Sequence, residues 1–305
     1  MHFCFIIEEQ YRYETMPMAV IDQLAQWGYS IDLLAPGIAI TCLDDLVRQK
    51  YDAYILKTVS DGPGLSILEA AEAIGIPTIN NSRAIRLVRD KAIATAFASA
   101  HGLPTPRTYF VAQPQMLSQV PEAEYPLVIK PSNGSSGRNV YRIDHARDIQ
   151  TLPFNDHRNG FLLAQQYIEN TGFDIKLYVI GKEAYAVAKK SPLHPEITVD
   201  KQLIPLTYEL RNLALRVGAL FGLDIYGLDV VDTPQGLVMV DINDFPGFGQ
   251  VPQAVSRIAR HIIRIAQRQQ CAVIRPFTSA FHRQAHRHAY AHSPRVATEE
   301  LRSLG

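Results

Sequence analysis

The chain has 305 residues with 30 Lys+Arg against 30 Asp+Glu, so no net field draws it toward nucleic acid or an anionic membrane. A hydrophobic content of 47% is ordinary for a globular protein of two or three domains, and no apolar run approaches membrane-spanning length. Cys4, Cys42 and Cys271 are scattered with no CxxC, which argues against a disulfide framework or a zinc site, and the opening FCFII is too short and too soon acidic for a signal peptide. A cytoplasmic enzyme is expected.

Residues 1 to about 83 alternate strand and helix: strand HFCFII, helix MAVIDQLAQWG ending at Gly28, strand YSIDLLA, short helix LDDLVRQ, strand YDAYILK, helix GLSILEAAEAIG closed by Gly75, strand IPTIN. That order predicts a parallel sheet with helices on its faces, and ligands of such sheets sit beyond the carboxyl ends of the strands. The loops there run from Glu8 to Pro17 and from Lys57 to Gly64. They make Glu9, Tyr11, Arg12, Tyr13, Lys57, Ser60 and Asp61 candidates for a non-nucleotide substrate. Asn80 to Thr108 reads as a helical stretch entered through Asn81 and Ser82. It stops at Gly102, before the extended LPTPRT in which two prolines exclude helix.

YPLVIKPSNGSSGRNVYRI is strand, glycine-rich loop, strand. Lys130 closes the first strand, and the loop Asn133, Gly134, Ser135, Ser136, Gly137 can fold over phosphates and donate N–H groups to them. No GKS or GKT opens a following helix, so this is not a P-loop. GFLLAQQYIEN is a strand, DIKLYVIGKEAYAVAKKS a hairpin turning at Gly181-Lys182, and YELRNLALRVGALFG a helix.

Asp229 to Gln250, DVVDTPQGLVMVDINDFPGFGQ, reads as strand, tight turn, strand and loop. Asp229 lies on one strand, and Asp241 and Asn243 share one face of the other because side chains alternate with period two. Three oxygen ligands among apolar neighbours suit a hard divalent cation such as Mg2+. The helix VSRIARHIIRIAQRQQ closes the globular part. After Pro276, His282, His286, His288 and His292 lie in a polar stretch with no apolar period, which reads as a disordered tail.

RDK at 89–91, LVIKPSNGSSGR at 127–138, QQYIE at 165–169 with DIKLYVIG at 174–181, and DINDFPGF at 241–248 come in the order of an ATP-grasp enzyme. They resemble most the RimK-like carboxylate–amine ligases, from Asn80 to the closing helix. The resemblance implies an α/β protein with α+β elements. Its parts would be an N-terminal parallel α/β domain (1–83), a small lid domain (84–164), a C-terminal metal-binding domain (165–276) and the tail (277–305). ATP would be clamped between the lid and the C-terminal domain. Lys91 and Lys130 would meet the ATP phosphates beneath the loop 133–137. Gln166, Tyr167 and Ile168 would form the adenine hinge, mainly through backbone groups, and Asp174 would meet the ribose. Asp229, Asp241 and Asn243 would hold two Mg2+ ions, with Mn2+ as an alternative. Among Lys176, Lys189 and Lys190 on the hairpin, one would stabilise the transferring phosphate or an acyl-phosphate.

Two segments depart from RimK-like ligases. PLHPEITVDKQLIPLT lacks the Arg/Ser/Asn-rich loop expected before the helix at Tyr208. FGLDIYGLDVV with DINDFPGF is similar instead to the ATP-grasp inositol-polyphosphate kinases. The expected reaction is amide formation from a small-molecule carboxylate and an amine, such as amino acids or a peptide, with no nucleic-acid or membrane partner and a homo-oligomer left open. A kinase is the runner-up. It would need a basic pocket, for which the N-terminal domain offers only Arg12, Lys57, Arg83 and Arg86. A non-catalytic ATP-binding regulator is disfavoured, since both lysines and all three metal ligands are present.

Overall fold

The first 79 residues build the parallel sheet that their alternation predicts. In the computed structural model, which describes residues 1–48, 50–57, 62–132, 139–153 and 161–273, four strands run parallel. They are β1 (His2–Ile7), β2 (Ser30–Leu34), β3 (Ala53–Lys57) and β4 (Thr78–Ile79), in the order β2-β1-β3-β4. β1 and β3 are apolar almost throughout because both of their faces are covered. Phe3, Phe5 and Ile7 pack against Val20 and Leu24 of α1 (Thr15–Gln26) and against the last helix, α7 (Ala254–Val273). Cys4, Ile6, Tyr54 and Leu56 face Leu46 of α2 (Leu43–Arg48) and Leu65 and Leu68 of α3 (Gly64–Ala73).

The stretch after β4 is two helices rather than one. α4 (Ser82–Arg89) and α5 (Lys91–Ala100) meet at Asp90, whose carboxylate accepts from the N–H groups of Ala92 and Ile93 and so caps α5. Both helices bury Ala84, Val88, Ala94 and Ala98 in the core of the C-terminal sheet, not in that of the lid.

The lid is an antiparallel sheet of β5 (Thr108–Val111), β6 (Leu127–Pro131), β7 (Tyr141–Ile143) and β8 (Leu162–Gln166), in the order β5-β8-β6-β7. It has its own core of Val111, Leu117, Leu127, Ile129, Ile143 and Leu162.

The C-terminal sheet is antiparallel and ordered β11-β10-β9-β12-β13. Its strands are β9 (Phe173–Ile180), β10 (Glu183–Lys190), β11 (Leu203–Ile204), β12 (Ile225–Thr233) and β13 (Gly236–Asp244). Gly181, at φ 61°, makes the left-handed turn between β9 and β10 that the sequence places there. α6 (Tyr208–Phe221) covers one face, burying Leu210, Leu213, Val217 and Phe221 against Ile175, Leu177 and Val179. The other face is split. Its far end, with Tyr178 and Ile180, shares a core with the N-terminal sheet and α7, and its near end is polar and faces the lid. Among the described residues no helix is long and apolar enough to cross a membrane. Ser60, Asp61, Asn133, Gly134, Ser135, Ser136, Gly137 and the histidine-bearing tail lie outside the described residues.

Candidate active site

Strand register gathers most of the site. Lys189 pairs with Asp174, and Lys176 pairs with Asp229, which pairs with Asp241, so two rungs of charge, two residues apart on β9, together span β10, β9, β12 and β13 on a single face. Asn243 lies two residues beyond Asp241 on that same face. Two carboxylates directly opposite one another would repel, and lysines are interposed. Asp229 accepts from Lys176 Nζ at 3.0 Å and Lys189 Nζ at 3.1 Å, and Asp241 accepts from Lys91 Nζ at 2.9 Å through each oxygen. Burial alone would raise both carboxyl pKa values. The ammonium groups outweigh it, so Asp229 and Asp241 are held below the usual carboxylate range. Asp229 in turn holds the Lys189 ammonium above its ordinary value against the pull of burial.

A β-bulge sets this register. Asp229 faces Asp241 while the next residue, Val230, faces Met239, so Val240 is the extra residue of β13. The Val240 carbonyl accepts from Lys130 Nζ at 2.8 Å, and Met239 N–H donates to the Pro104 carbonyl at 2.8 Å. The bulge thus ties the base of the glycine loop to the strand carrying Asp241. Burial pulls Lys130 down to about 8.

Between lid and C-terminal sheet lies an open cleft lined by Lys91, Lys130, Gln166, Tyr167, Ile168, Asp174, Lys189, Asp229 and Asp241 among others. Lys176 and Asn243 stand behind Asp229, at 3.0 and 3.4 Å from its Oδ2. At the hinge, Gln166 N–H donates to the Arg107 carbonyl and Tyr167 N–H to the Pro126 carbonyl. Both are therefore committed within the protein, whereas Ile168 N–H has no partner among the described residues. Asp174 is pushed up to about 6 mainly by burial, with the Ser191 hydroxyl acting against the shift.

Lys190 is not brought into the site. It pairs with Phe173 and is exposed, on the face opposite Lys189, because adjacent strand residues point to opposite sides. Of the N-terminal candidates, Lys57 is buried beneath Tyr11, with Nζ 4.5 Å from the ring centroid, while Glu9, Arg12 and Tyr13 are exposed. Sequence reading missed Ser191 beside Asp174. It also missed the stacking of Arg142 on Tyr167, 4.3 Å from the ring centroid, and the contact of the Tyr167 hydroxyl with His194 Nε2 at 3.0 Å. The short spacing from Lys189 to Ser191 is the one signal that could have found the first.

A small antiparallel lid over a larger antiparallel sheet, with a lysine- and carboxylate-lined cleft between, defines an ATP-grasp enzyme. Residues 88–266 match the RimK-like ATP-grasp domain. The chain is 29% identical over 215 residues to a probable alpha-L-glutamate ligase of Mannheimia succiniciproducens, covering 66% of this chain and 71% of that one. Its fold is similar to D-alanine–D-alanine ligase of Bacillus anthracis, with TM-score 0.66, 16% identity, and 89% and 99% of the two chains covered. It is similar also to the ATP-grasp ligase PsnB, solved with a minimal precursor, Mg and ADP, with TM-score 0.64, 16% identity, and 87% and 98% covered. The chain belongs to the RimK-like ATP-grasp family and is an ATP-dependent, ADP-forming carboxylate–amine ligase.

ATP-grasp ligases use ATP with Mg, and the donor set here fits that ion. Two carboxylates and an amide oxygen are hard ligands, and each carboxylate already holds a cation in the form of an ammonium group. Among the described residues no cluster of three or more His, Cys, Asp or Glu side chains could cage a metal unaided.

Proposed function

We propose that the enzyme joins an amino-acid amine, of the glutamate type, to the carboxylate of a small molecule or peptide, with ATP bound in the lid cleft. The observation that carries this reading is the pair of charged rungs across four strands, which face the cleft and contain both cations and anions. The similarity to a glutamate ligase supports the choice of amine. ATP and free amino acids coexist in the cytoplasm, where we place the reaction.

In this reading Lys91 and Lys130 meet the phosphates, each turning from its present protein acceptor toward the nucleotide. Ile168 N–H is the free hinge donor for the adenine edge, and Asp174 meets the ribose. Asp229, Asp241 and Asn243 would hold magnesium, as one ion or two, which would supply neutralisation of phosphate charge. Lys189 lines the cleft and follows the charge that builds up as the phosphoryl group passes to the substrate carboxylate, and Lys176 keeps Asp229 ionised and oriented from behind. The lid excludes water from the activated acyl group until the amine attacks.

The test supplies the enzyme with ATP, Mg2+, a panel of amino acids including glutamate, candidate carboxylates and inositol phosphates. ADP, inorganic phosphate and product mass are followed together. Equal release of ADP and phosphate with a new amide supports the reading. ADP release with phosphate retained on an inositol product would refute it.

A further inference from the structure

Lys57 ends β3 in the N-terminal domain, yet its contacts lie at the metal-binding end of β13. Its Nζ donates to the carbonyl of Phe245 at 2.6 Å, across 188 positions of sequence. The ammonium sits 4.5 Å from the Tyr11 ring centroid and 6.0 Å from that of Phe245. The residue is only 9% exposed. Burying an ammonium is costly, and the Phe245 carbonyl, the close Tyr11 ring and the neighbouring carboxylates of Asp244 and Glu14 compensate it incompletely, since burial still holds the Lys57 ammonium below its ordinary value. A role outside stability is indicated.

The acceptor points to that role. Phe245 lies two residues after Asn243, and its φ of 39° is uncommon for a non-glycine residue. Its ring is fully buried, and its N–H donates to the Ile225 carbonyl. Asp244, between the two, is gripped by Arg89 at 3.1 Å. Asn243 itself is a neutral amide with one weak contact to Asp229 at 3.4 Å, so its direction depends on the backbone that carries it.

We propose that Lys57 is a positioning residue. By clasping the Phe245 carbonyl it fixes the strand end that aims Asn243 at the metal, and so keys the metal site to the last residue of the substrate-side strand β3. This rests on the metal assignment of the proposed function. It gives the N-terminal domain a part in metal geometry, beyond any contact with substrate.

The experiment uses the full chain with Lys57→Met and Lys57→Arg. Mn2+ affinity is measured by electron paramagnetic resonance in the presence of a non-hydrolysable ATP analogue, alongside nucleotide affinity and steady-state kinetics. Lys57→Met is expected to weaken Mn2+ binding about tenfold, the scale typical of residues that orient ligands. It should lower kcat while leaving KM for the carboxylate within about twofold. Lys57→Arg, which keeps a charged donor, should recover most of the affinity. Unchanged Mn2+ affinity with a raised KM would make Lys57 a substrate anchor and overturn the proposal, as would unchanged values throughout. Should Lys57→Met fail to fold, Lys57→Gln is read by the same criteria. Asp241→Asn is the control: if it too leaves Mn2+ affinity unchanged, the metal assignment has failed rather than the clasp.

Discussion

Asp229→Asn tests the energetics of the charged rungs most directly. The substitution keeps shape and removes the negative charge that neutralises Lys176 and Lys189, at 3.0 and 3.1 Å. Removing one partner of a buried pair costs about 3–5 kcal/mol because the other charge stays buried. The two lysines differ, however: the Lys176 side chain is 10% exposed and that of Lys189 is 33% exposed. Lys189 can turn to water, and the lost repulsion with Asp241 is a small gain, so we expect about 3 kcal/mol, nearly all of it from Lys176. Lys176→Met alone leaves Asp229 with Lys189 and should cost roughly 1–2 kcal/mol. In the double variant no deeply buried charge is unpaired, and the total should fall below the sum by about 2 kcal/mol. Urea unfolding at pH 7.5 without nucleotide or metal measures the cycle. The depressed carboxyl pKa adds a sign: its contribution is present above about pH 4 and lost as pH falls further, and it should be missing from Asp229→Asn. Single-variant costs that add to within about 0.5 kcal/mol would refute the coupling.

Asp241→Asn and Asn243→Ala should each abolish turnover at saturating Mg2+ with the circular-dichroism spectrum unchanged; an intact rate removes that residue from the ligand set. Asp174, raised from 3.8 to about 6, weakens the fold as pH climbs through that window. Asp174→Asn should therefore stabilise the nucleotide-free enzyme at pH 7 by roughly 2–3 kcal/mol, while titration calorimetry shows weaker ATP binding. Ile262, fully buried where α7 meets the N-terminal sheet, should cost about 2–5 kcal/mol as Ile262→Ala in urea unfolding, without change in KM for ATP.

The turn at Gly181-Lys182 pairs Ile180 with Glu183, and counting back from it pairs Asp174 with Lys189. Period two alone therefore separates Lys189 from Lys190. The shared face of Asp229, Asp241 and Asn243 was readable for the same reason. The bulge at Val240 was not, because LVMV carries no glycine or polar residue to mark it. Nor was the break at Asp90: SRAIRLVR and KAIATAFASA are both good helix formers, and an aspartate between them becomes a cap only once the chain bends. The clasp of Lys57 on Phe245 joins positions 188 apart, a distance over which local pattern carries no information.

The distribution of the cores determines how the cleft can widen. One core runs unbroken from β1, β3 and α1 through Tyr178, Ile180 and Ile225 to α7, so swinging the N-terminal domain away from the C-terminal sheet would expose Phe3, Phe5, Phe245 and Phe248 together. At roughly 25 cal/mol per Å2 of apolar surface, exposing even a few such rings is costly. The lid core contains no residue of either neighbouring core. Across the cleft, Lys130 meets Val240 through a polar bond, and Met239 N–H bonds the Pro104 carbonyl on the approach to the lid. Such groups exchange protein partners for water at little net cost. Lysine–carbonyl contact is also the one that a phosphate can replace outright, since Lys130 needs an acceptor and a phosphate oxygen is a better one than an amide carbonyl. The lid is thus the part of the molecule whose displacement leaves the hydrophobic cores intact, and on the proposed assignment of Lys130 to the phosphates, nucleotide binding would supply the acceptor that this cross-cleft lysine otherwise loses.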